Sequence, residues 1–221
     1  DPALFDLVTV PQHDRLRGDN VLATLTSPHR MSPERLAEAA AHPPHRLHRT
    51  PRPRIAILIG GDSQHHHFDE RDRGVFAHAL RDLAGSGAFL MATASRRTPP
   101  TLLNEARAIV QAADGFFWNG SGENPFAAML ALADAIVVTA DSVNMVGEAV
   151  ATGRPVYVFS PSGGTEKINS FLTGLAQARA IRPFSGVLAP YTYAPIDATP
   201  AIAVELARRY AAHKARFRNA S

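Results

Sequence analysis

The 221-residue sequence contains no cysteine. Disulfide bonds, zinc–thiolate sites and thiol catalysis are therefore excluded, and the fold has to rest on packing alone. Lysine is nearly absent as well, with Lys167 and Lys214 as the only two. Arginine therefore carries most of the positive charge. The formal net charge of +3 is too small to indicate a nucleic-acid partner, whereas the planar guanidinium group of arginine suits phosphate and carboxylate ligands.

Long apolar runs are also missing, and no stretch approaches the roughly 20 residues that cross a bilayer as a helix. The first six residues, DPALFD, lack the basic and apolar regions of a signal peptide. These absences predict a cytoplasmic protein, with peripheral association at the cytoplasmic face of a membrane as the alternative. The lack of an initiator methionine predicts that the chain begins inside a longer protein.

Several cofactor and nucleophile motifs are absent too. There is no Gly-x-Gly-x-x-Gly fingerprint, no Gly-Lys-Ser/Thr phosphate loop and no nucleophile elbow, which disfavours dinucleotide redox chemistry, P-loop hydrolysis and serine hydrolysis. The run His65-His66-His67 invites a metal interpretation. Adjacent side chains on an extended loop diverge, however, and no carboxylate spacing completes a ligand set. We expect no metal and no resident cofactor.

What the sequence does contain is an alternation of short β-rich runs with helical patterns. This alternation is typical of parallel strands joined by crossover helices, so the predicted fold is a doubly wound parallel α/β sheet. Strands are predicted at residues 5–10, 21–25, 54–59, 88–93, 115–118, 135–139 and 156–159.

The starts of five helices are marked by capping side chains. In four of them the cap precedes a proline, which has no amide hydrogen to leave unpaired at the first helical position. These pairs are Ser32-Pro33, Thr98-Pro99, Asn124-Pro125 and Thr199-Pro200. Asp69 is predicted to cap a fifth helix that runs to about residue 83.

Residues 42–53 contain four prolines among histidines and arginines, which excludes a helix interior or a central strand. We interpret this segment as a linker. Two strands and one helix before it are too little for an independent α/β domain. Residues 1–50 are therefore predicted to be the C-terminal remnant of an N-terminal domain plus the linker, and residues 51–221 a complete domain.

The five strands of residues 51–221 are expected to follow the order 3-2-1-4-5, so the chain reverses direction between strands one and four. Ligands of such sheets bind beyond the carboxyl ends of the strands at that point. The loops placed there are Gly60-Gly61-Asp62-Ser63 and Thr139-Ala140-Asp141-Ser142. The glycines would let the backbone approach a ligand, although a tight turn alone would also explain them. Asp141 or Ser142 would cap a helix whose free amides can hold a phosphate oxygen or a sugar hydroxyl.

Glu148 lies on the helix that follows this second loop, one turn after Asn144 and among apolar residues such as Met145. A carboxylate in such surroundings needs a partner. Two ligand hydroxyls would satisfy it, as would backbone amides or an arginine. Because the helix begins in the candidate site, the ligand is the favoured interpretation.

Two further loops end strands at the same edge. Ser95-Arg96-Arg97 follows strand two, and an arginine pair beside a helix N-terminus suits a diphosphate, although solvated surface arginines explain it equally well. Trp118 begins a Gly- and Ser-rich loop after strand three, which either covers the site or packs against the domain.

Residues 148–156 (EAVATGRPV) resemble the Glu-Ala-x-x-x-Gly-x-Pro-Val signature in the donor domain of GT-B glycosyltransferases. More narrowly, the chain resembles the mitochondrial fission ELM1-like family, whose plant member is associated with mitochondrial fission and whose bacterial members are grouped with glycosyltransferases. The segments that carry this resemblance are residues 60–63 (GGDS), 95–99 (SRRTP), 124–126 (NPF) and 138–145 (VTADSVNM).

The resemblance implies the C-terminal, donor-binding domain of a GT-B enzyme, a Rossmann-like sheet preceded by the trailing edge of an N-terminal Rossmann-like domain. The implied activity is sugar transfer from a nucleotide diphosphate to an envelope or lipid-linked acceptor, with an isolated fragment expected to be inactive. Glu148 would hold the ribose. The residues expected to bind the nucleotide sugar are Gly60, Gly61, Asp62, Ser63, Ser95, Arg96, Arg97, Thr139, Asp141, Ser142, Asn144, Met145 and Glu148.

No catalytic residue follows from the motifs. Many retaining GT-B enzymes carry a second glutamate eight residues before the one that Glu148 matches, and this sequence has Ala140 there. Two alternatives stay open: a non-enzymatic, membrane-associated adaptor that recruits a division protein, and a nucleotide-sugar epimerase, which would share donor recognition but act without an acceptor.

Overall fold

The computed structural model describes residues 2–12, 14 and 16–218. In this part of the chain seven helices alternate with eight strands. The helices are α1 Pro33–Ala41, α2 Glu70–Gly85, α3 Pro100–Ala112, α4 Phe126–Leu132, α5 Val143–Val150, α6 Glu166–Gln177 and α7 Thr199–Arg218. The strands are β1 Val8–Pro11, β2 Val21–Thr24, β3 Arg54–Ile59, β4 Phe89–Ala94, β5 Phe116–Phe117, β6 Ala135–Thr139, β7 Val156–Phe159 and β8 Ile181–Pro183.

Strands β3 to β8 form one six-stranded parallel sheet in the order β5-β4-β3-β6-β7-β8. At its centre Ile57 of β3 pairs with Ala92 of β4 on one side and Val137 of β6 on the other. The predicted α/β class and the order 3-2-1-4-5 are thus confirmed, and the reversal lies between β3 and β6. Their carboxyl ends therefore meet at one edge of the sheet.

Helices cover both faces of this sheet, as the near-continuous apolar strands require. Alternate residues of each strand point to opposite faces, so Leu58 and Val138 pack with α1, α4, α5 and α6 on one face. Ile57 and Val137 pack with α2 and α3 on the other. The result is a three-layer sandwich with two apolar cores.

Strand β8 at the edge of the sheet is absent from the sequence prediction. It is only three residues long and ends in proline, which cannot donate to a ladder and is tolerated at an edge. The first strand is also displaced: residues 5–10 were predicted, whereas β1 spans Val8–Pro11 because a 3-10 turn at Pro2–Leu4 occupies the preceding residues.

Of the five predicted caps, Ser32 and Asp69 are confirmed, since their side chains accept hydrogen bonds from the amides of Arg35 and Asp72. The other three are wrong in position. Helix α3 begins one residue later than expected, and the Thr98 hydroxyl donates to the carbonyl of Gly60 instead.

In α4, Pro125 takes the cap position and Asn124 Oδ1 accepts from the amide of Phe126. Helix α7 begins at Thr199 itself, whose amide donates to Asp197 Oδ1.

Residues before β3 divide between two environments. β1 and β2 pair in parallel as a separate two-stranded sheet whose residues are mostly only half-buried. Helix α1 and Leu47, by contrast, belong to the core formed with Ile136. The predicted linker therefore contains a 3-10 turn, His45–Leu47, that is anchored in the main domain. The domain boundary at residue 50 stays a prediction.

Candidate functional site

The loops that end β3 and β6 are joined by buried hydrogen bonds at the point where the sheet reverses. Thr139 Oγ1 accepts from the amide of Gly60 at 2.7 Å and donates to Asp141 Oδ1 at 2.6 Å. Asp141 Oδ2 accepts from the amide of Gly61 at 2.8 Å. Both carboxylate oxygens of Asp141 are thus engaged inside the protein, and this side chain has no exposed surface.

The two glycines are required by close protein contacts. A Cβ on Gly60 would overlap the carboxylate of Asp141, and a Cβ on Gly61 would overlap the backbone carbonyl of Arg97. The sequence interpretation assigned this space to a ligand. In the structure, the Asp141 carboxylate and the backbone of Arg97 occupy this space. Glycine at positions 60 and 61 therefore allows the three loops to pack together.

The loop after β4 is the third member of this cluster. The Arg97 guanidinium lies 3.6 Å from Asp141 Oδ2 and donates to the carbonyl of Asp62 at 3.3 Å, while about half of its side chain stays exposed. Ser95 Oγ accepts from the amide of Arg97 at 3.1 Å. Arg96 is exposed. Arg97 therefore keeps donors accessible to solvent beside the buried carboxylate.

Asp62 and Ser63 shape the loop that leads into α2. Asp62 Oδ1 accepts from the amide of Phe68 at 3.0 Å. Ser63 Oγ accepts from the amides of His65 and His66 at 3.2 and 3.0 Å. The side chains named as ligand groups in the sequence interpretation thus make hydrogen bonds within their own loop.

Helix α5 starts as expected with Ser142, whose hydroxyl accepts from the amide of Met145 at 3.4 Å. Met145 packs against the apolar core, whereas Asn144 is exposed. Glu148 is half-buried, and its carboxylate makes no hydrogen bond with any residue that the structure describes. Burial raises the pKa of Glu148, and the charge of Arg35 opposes this rise.

Asn144 and Glu148 line a cavity of about 160 Å³. Its other wall is the segment that follows β2, residues 27–30 (SPHR). Among the predicted residues, Gly60, Gly61, Thr139 and Asp141 form a hydrogen-bonded cluster with Arg97 beside it, whereas Asn144 and Glu148 line this small cavity farther along α5.

Residues 27–30 were not predicted as site residues. The signal was present, because Ser27, His29 and Arg30 are polar residues just beyond the carboxyl end of β2. His29 is tied to the start of α7, since its backbone amide donates to Thr199 Oγ1 at 3.1 Å. The predicted ligand site comprised only loops after the linker, so it did not include this wall.

The loop after β7 was missed as well. It runs through Gly163 and Gly164, which have φ angles of +96° and +105°, to Thr165, the cap of α6. An isolated bridge joins Gly163 to His66, so this loop lies against the loop after β3. The signal was the Gly pair before a threonine at a strand end, the same kind of signal as Gly60-Gly61.

Other features lie apart from the Asp141 cluster and the Glu148 cavity. The indole of Trp118 donates to the carbonyl of Ser121, and Trp118 does not line the Glu148 cavity. A larger, mainly apolar cavity of about 410 Å³ lies at the opposite edge, beside the strand starts at Ile55 and Ala135. It contains neither of the predicted loops.

The described residues contain neither a cluster that could hold a metal ion nor a helix that could span a membrane. No group of three or more His, Asp or Glu side chains in that part of the chain is arranged to hold a metal ion. None of the helices there combines the length and the apolar character needed to cross a membrane.

The family model described as "Mitochondrial fission ELM1" matches residues 1–210. The chain is 28% identical over 201 residues to the mitochondrial fission protein ELM1 of Arabidopsis thaliana, covering 88% of this chain and 46% of that protein. It is also 28% identical over 156 residues to the uncharacterized protein RP120 of Rickettsia prowazekii, covering 67% and 44%. The chain thus spans less than half the length of these curated relatives.

Among solved structures, the Moco carrier protein of Chlamydomonas reinhardtii is similar to this chain with a TM-score of 0.41 and 16% identity. The match covers 71% of this chain and 99% of that one. A further structure of the same carrier protein gives a TM-score of 0.41 and 17% identity over the same shares.

Proposed function

This chain belongs to the mitochondrial fission ELM1 family, and we propose that it acts as the nucleotide-sugar-binding part of a GT-B glycosyltransferase. The observation that carries the proposal is the environment of Glu148. Its half-buried carboxylate has no hydrogen-bond partner among the described residues and lines a cavity near the sheet reversal. The EAVATGRPV run that begins at Glu148 supplies the resemblance to GT-B donor domains.

A ribose would supply what Glu148 lacks. Desolvation disfavours a charged carboxylate unless hydrogen-bond donors replace the lost water. Two neighbouring ribose hydroxyls can donate to the two carboxylate oxygens at once, and Asn144 in the same cavity offers a further donor and acceptor. The proposed ligand thus satisfies a group that the protein itself leaves without a partner.

The diphosphate of the donor would lie along the same edge of the sheet. We assign to it the amino end of α5, which carries positive dipole charge, and the accessible guanidinium groups of Arg96 and Arg97. In sugar transfer the leaving diphosphate gains negative charge, so such donors stabilise the transition state electrostatically. The amides of Gly60, Gly61 and Ser63 donate within the protein, so we propose that these residues shape the edge beside the diphosphate.

The remaining parts of the enzyme are assigned to residues outside this domain. Strands β1 and β2 form a parallel pair that is only half-buried, whereas parallel sheets are normally larger and covered on both faces. We propose that residues 1–50 complete a second Rossmann-like domain. That domain would hold an envelope or lipid-linked acceptor at the cytoplasmic face of a membrane, and the chain alone would be inactive.

Calorimetry with a panel of nucleoside diphosphates tests this function. We expect one of them to bind the full chain, and Glu148→Ala to weaken binding about tenfold or more, because hydrogen bonds to a charged group are lost. Glu38→Ala on the exposed face of α1 is the matched control, since it removes one carboxylate elsewhere. Equal affinities of wild type and Glu148→Ala, or no nucleotide binding, would contradict the proposal.

A second candidate is a non-enzymatic adaptor. The name of the Arabidopsis relative, a mitochondrial fission protein, favours it. So does α7, on which Val204, Leu206 and Tyr210 are exposed large apolar residues of the kind used in protein contacts. An adaptor would recruit a division protein to a membrane surface and would not turn over sugar.

Pull-down of a dynamin-like division protein separates the two candidates. An adaptor should retain its partner in Glu148→Ala and lose it in a Leu206→Ser, Tyr210→Ser double variant. The opposite pattern, with nucleotide binding sensitive to Glu148 and no captured partner, favours the enzyme.

A further inference from the structure

The loop between β7 and α6 turns sharply into the amino end of a helix. Gly163 and Gly164 both adopt positive φ angles, and Thr165 Oγ1 accepts from the amide of Ile168 at 3.3 Å to cap the helix. Helix α6 is twelve residues long, so its amino end carries a developed dipole. The first amides of the helix, at Glu166 and Lys167, have no acceptor within α6.

A buried imidazole points to a ligand at the same place. His66 is only 2% exposed, and its Nδ1 atom is buried without a hydrogen-bond partner among the described residues. No hydrogen bond of its Nε2 atom is found in that part of the chain either. Nε2 lies 3.3 Å from the position that a Cβ on Gly164 would occupy. Asn169 Oδ1 lies 3.4 Å from the same position. Two polar side chains thus lie close to Gly164, on the side where another residue would carry its Cβ.

His66 is held firmly in this position by its backbone. Its amide donates to Ser63 Oγ at 3.0 Å, and its carbonyl accepts from the amide of Ser63 at 2.9 Å. On either side of it, the carbonyl of His65 accepts from the amide of Gly164, and the amide of His67 donates to the carbonyl of Ser162. The backbone thus fixes the position of a buried imidazole that has no hydrogen-bond partner among the described residues, and a bound ligand would explain this arrangement.

The protonation state of His66 leaves it able to donate a hydrogen bond. Burial lowers the pKa of His66, and the carboxylates of Asp141 and Asp72 act in the opposite direction. The exposed neighbours His65 and His67 add to the lowering. A neutral imidazole donates from one nitrogen, the Asn169 amide donates from its NH₂ group, and the helix offers backbone N–H groups. Each of these groups has at least one N–H that can donate, and an oxyanion can accept from all of them.

We propose that His66, Asn169 and the amino end of α6 bind a phosphoryl group, namely the terminal phosphate of the donor's diphosphate. This assignment rests on the proposed function, because β7 is the neighbour of β6 and the α6 site therefore lies beside the loop that leads to Glu148. The phosphate would lie beside Gly164 and complete the hydrogen bonding of His66. It places the end of the diphosphate at the amino end of α6.

Inorganic pyrophosphate is the probe, with calorimetry and the imidazole nitrogen resonances of the full chain as readouts. We expect His66→Phe, which keeps a buried ring, to weaken binding about tenfold through the loss of a hydrogen bond to a charged group. Asn169→Asp, on the exposed surface of α6, should weaken pyrophosphate binding as much as His66→Phe does, because it adds negative charge. His67→Phe, which changes an exposed neighbour, should leave the affinity unchanged. In wild type, pyrophosphate should shift the imidazole nitrogen resonances of His66 more than those of any other histidine.

Unchanged affinity in both His66→Phe and Asn169→Asp, or equal losses in His67→Phe, would overturn the site. Failure of wild type to bind pyrophosphate would overturn it too. If nucleoside diphosphates bind through Glu148 but independently of His66, this inference fails and the proposed function survives. If pyrophosphate binds through His66 while no nucleoside diphosphate binds, the site stands and the proposed function fails.

Discussion

Glu148 and Asp141 are two carboxylates on the same strand–helix unit with opposite surroundings. Asp141 is buried and accepts from the Gly61 amide and the Thr139 hydroxyl. Glu148 is half-buried and has no hydrogen bond among the described residues. The first carboxylate stabilises the arrangement of the loops. The second costs stability in the absence of a ligand, which is typical of a residue kept for binding.

Because burial of the Glu148 carboxylate costs stability, we predict that the variant Glu148→Gln is more stable than wild type and that this difference depends on pH. The pKa of Glu148 is raised by burial, so the folded protein holds this proton more tightly than the unfolded chain. The protonated Glu148 carboxyl group therefore contributes to stability below its ordinary pKa of 4.5, and this contribution is lost as the pH rises through the raised pKa of the folded protein. We therefore expect Glu148→Gln to have a larger free energy of unfolding than wild type at pH 8.

Urea unfolding at pH 8 and pH 4 checks this expectation. The advantage of Glu148→Gln should shrink at pH 4, where the wild-type carboxyl group is largely protonated. Glu38→Gln on α1 serves as the control for removing one negative charge. A variant that is less stable than wild type at pH 8 would mean that the Glu148 carboxylate has a stabilising partner in the folded protein.

At the scale of elements, three loops from β3, β4 and β6 pack closely against one another because Gly60 and Gly61 have no side chains. Gly60 faces the Asp141 carboxylate, and Gly61 faces the backbone of Arg97. Gly60→Ala should therefore destabilise the protein by about 2 kcal/mol or more, as overpacked buried sites do. The measurement is chemical unfolding.

Gly74→Ala is the matched control for this substitution. Gly74 lies in α2, and nothing lies within 4 Å of a Cβ placed there. Because alanine favours helix over glycine, this variant should gain about 0.5 to 1 kcal/mol. If Gly60→Ala is as stable as wild type, the loops can separate, and the space beside Asp141 would be open to a ligand.

Helix caps show how far local sequence rules reach. Ser32 and Asp69 act as predicted because the cap bond involves only the helix that each begins. Thr98 carries the same signal, but its hydroxyl reaches Gly60 in a neighbouring loop, which is distant in sequence. A buried carbonyl without a partner costs more than a lost cap, so the tertiary bond prevails.

At the scale of the whole molecule, stability should be uneven between the two sheets. β3 and β6 are central strands whose residues are almost entirely buried, whereas β1 and β2 form an isolated, half-buried pair. We expect amide hydrogen exchange to be slowest in β3 and β6 and much faster in β1 and β2 of this chain. Mass spectrometry of exchanged peptides measures both.

The same experiment bears on the proposed second domain. If β1 and β2 belong to a larger sheet, their amides should become protected in a longer protein that includes the preceding domain, while β3 and β6 change little. Equal protection of all four strands in this chain would mean that the small sheet is complete as it stands.

The alternation of apolar strands with helical patterns determined the α/β class, five of the six main strands and the reversal between β3 and β6. Those features depend on periodicity and on general rules of chain connection, which a sequence displays directly. Only the tertiary structure decided which residues contact one another. Asp141 accepts hydrogen bonds from Gly61 and Thr139. Residues 27–30 line the same cavity as Glu148, and His66 lies against Gly164. Contacts between residues far apart in the chain depend on side-chain packing, which no local pattern encodes.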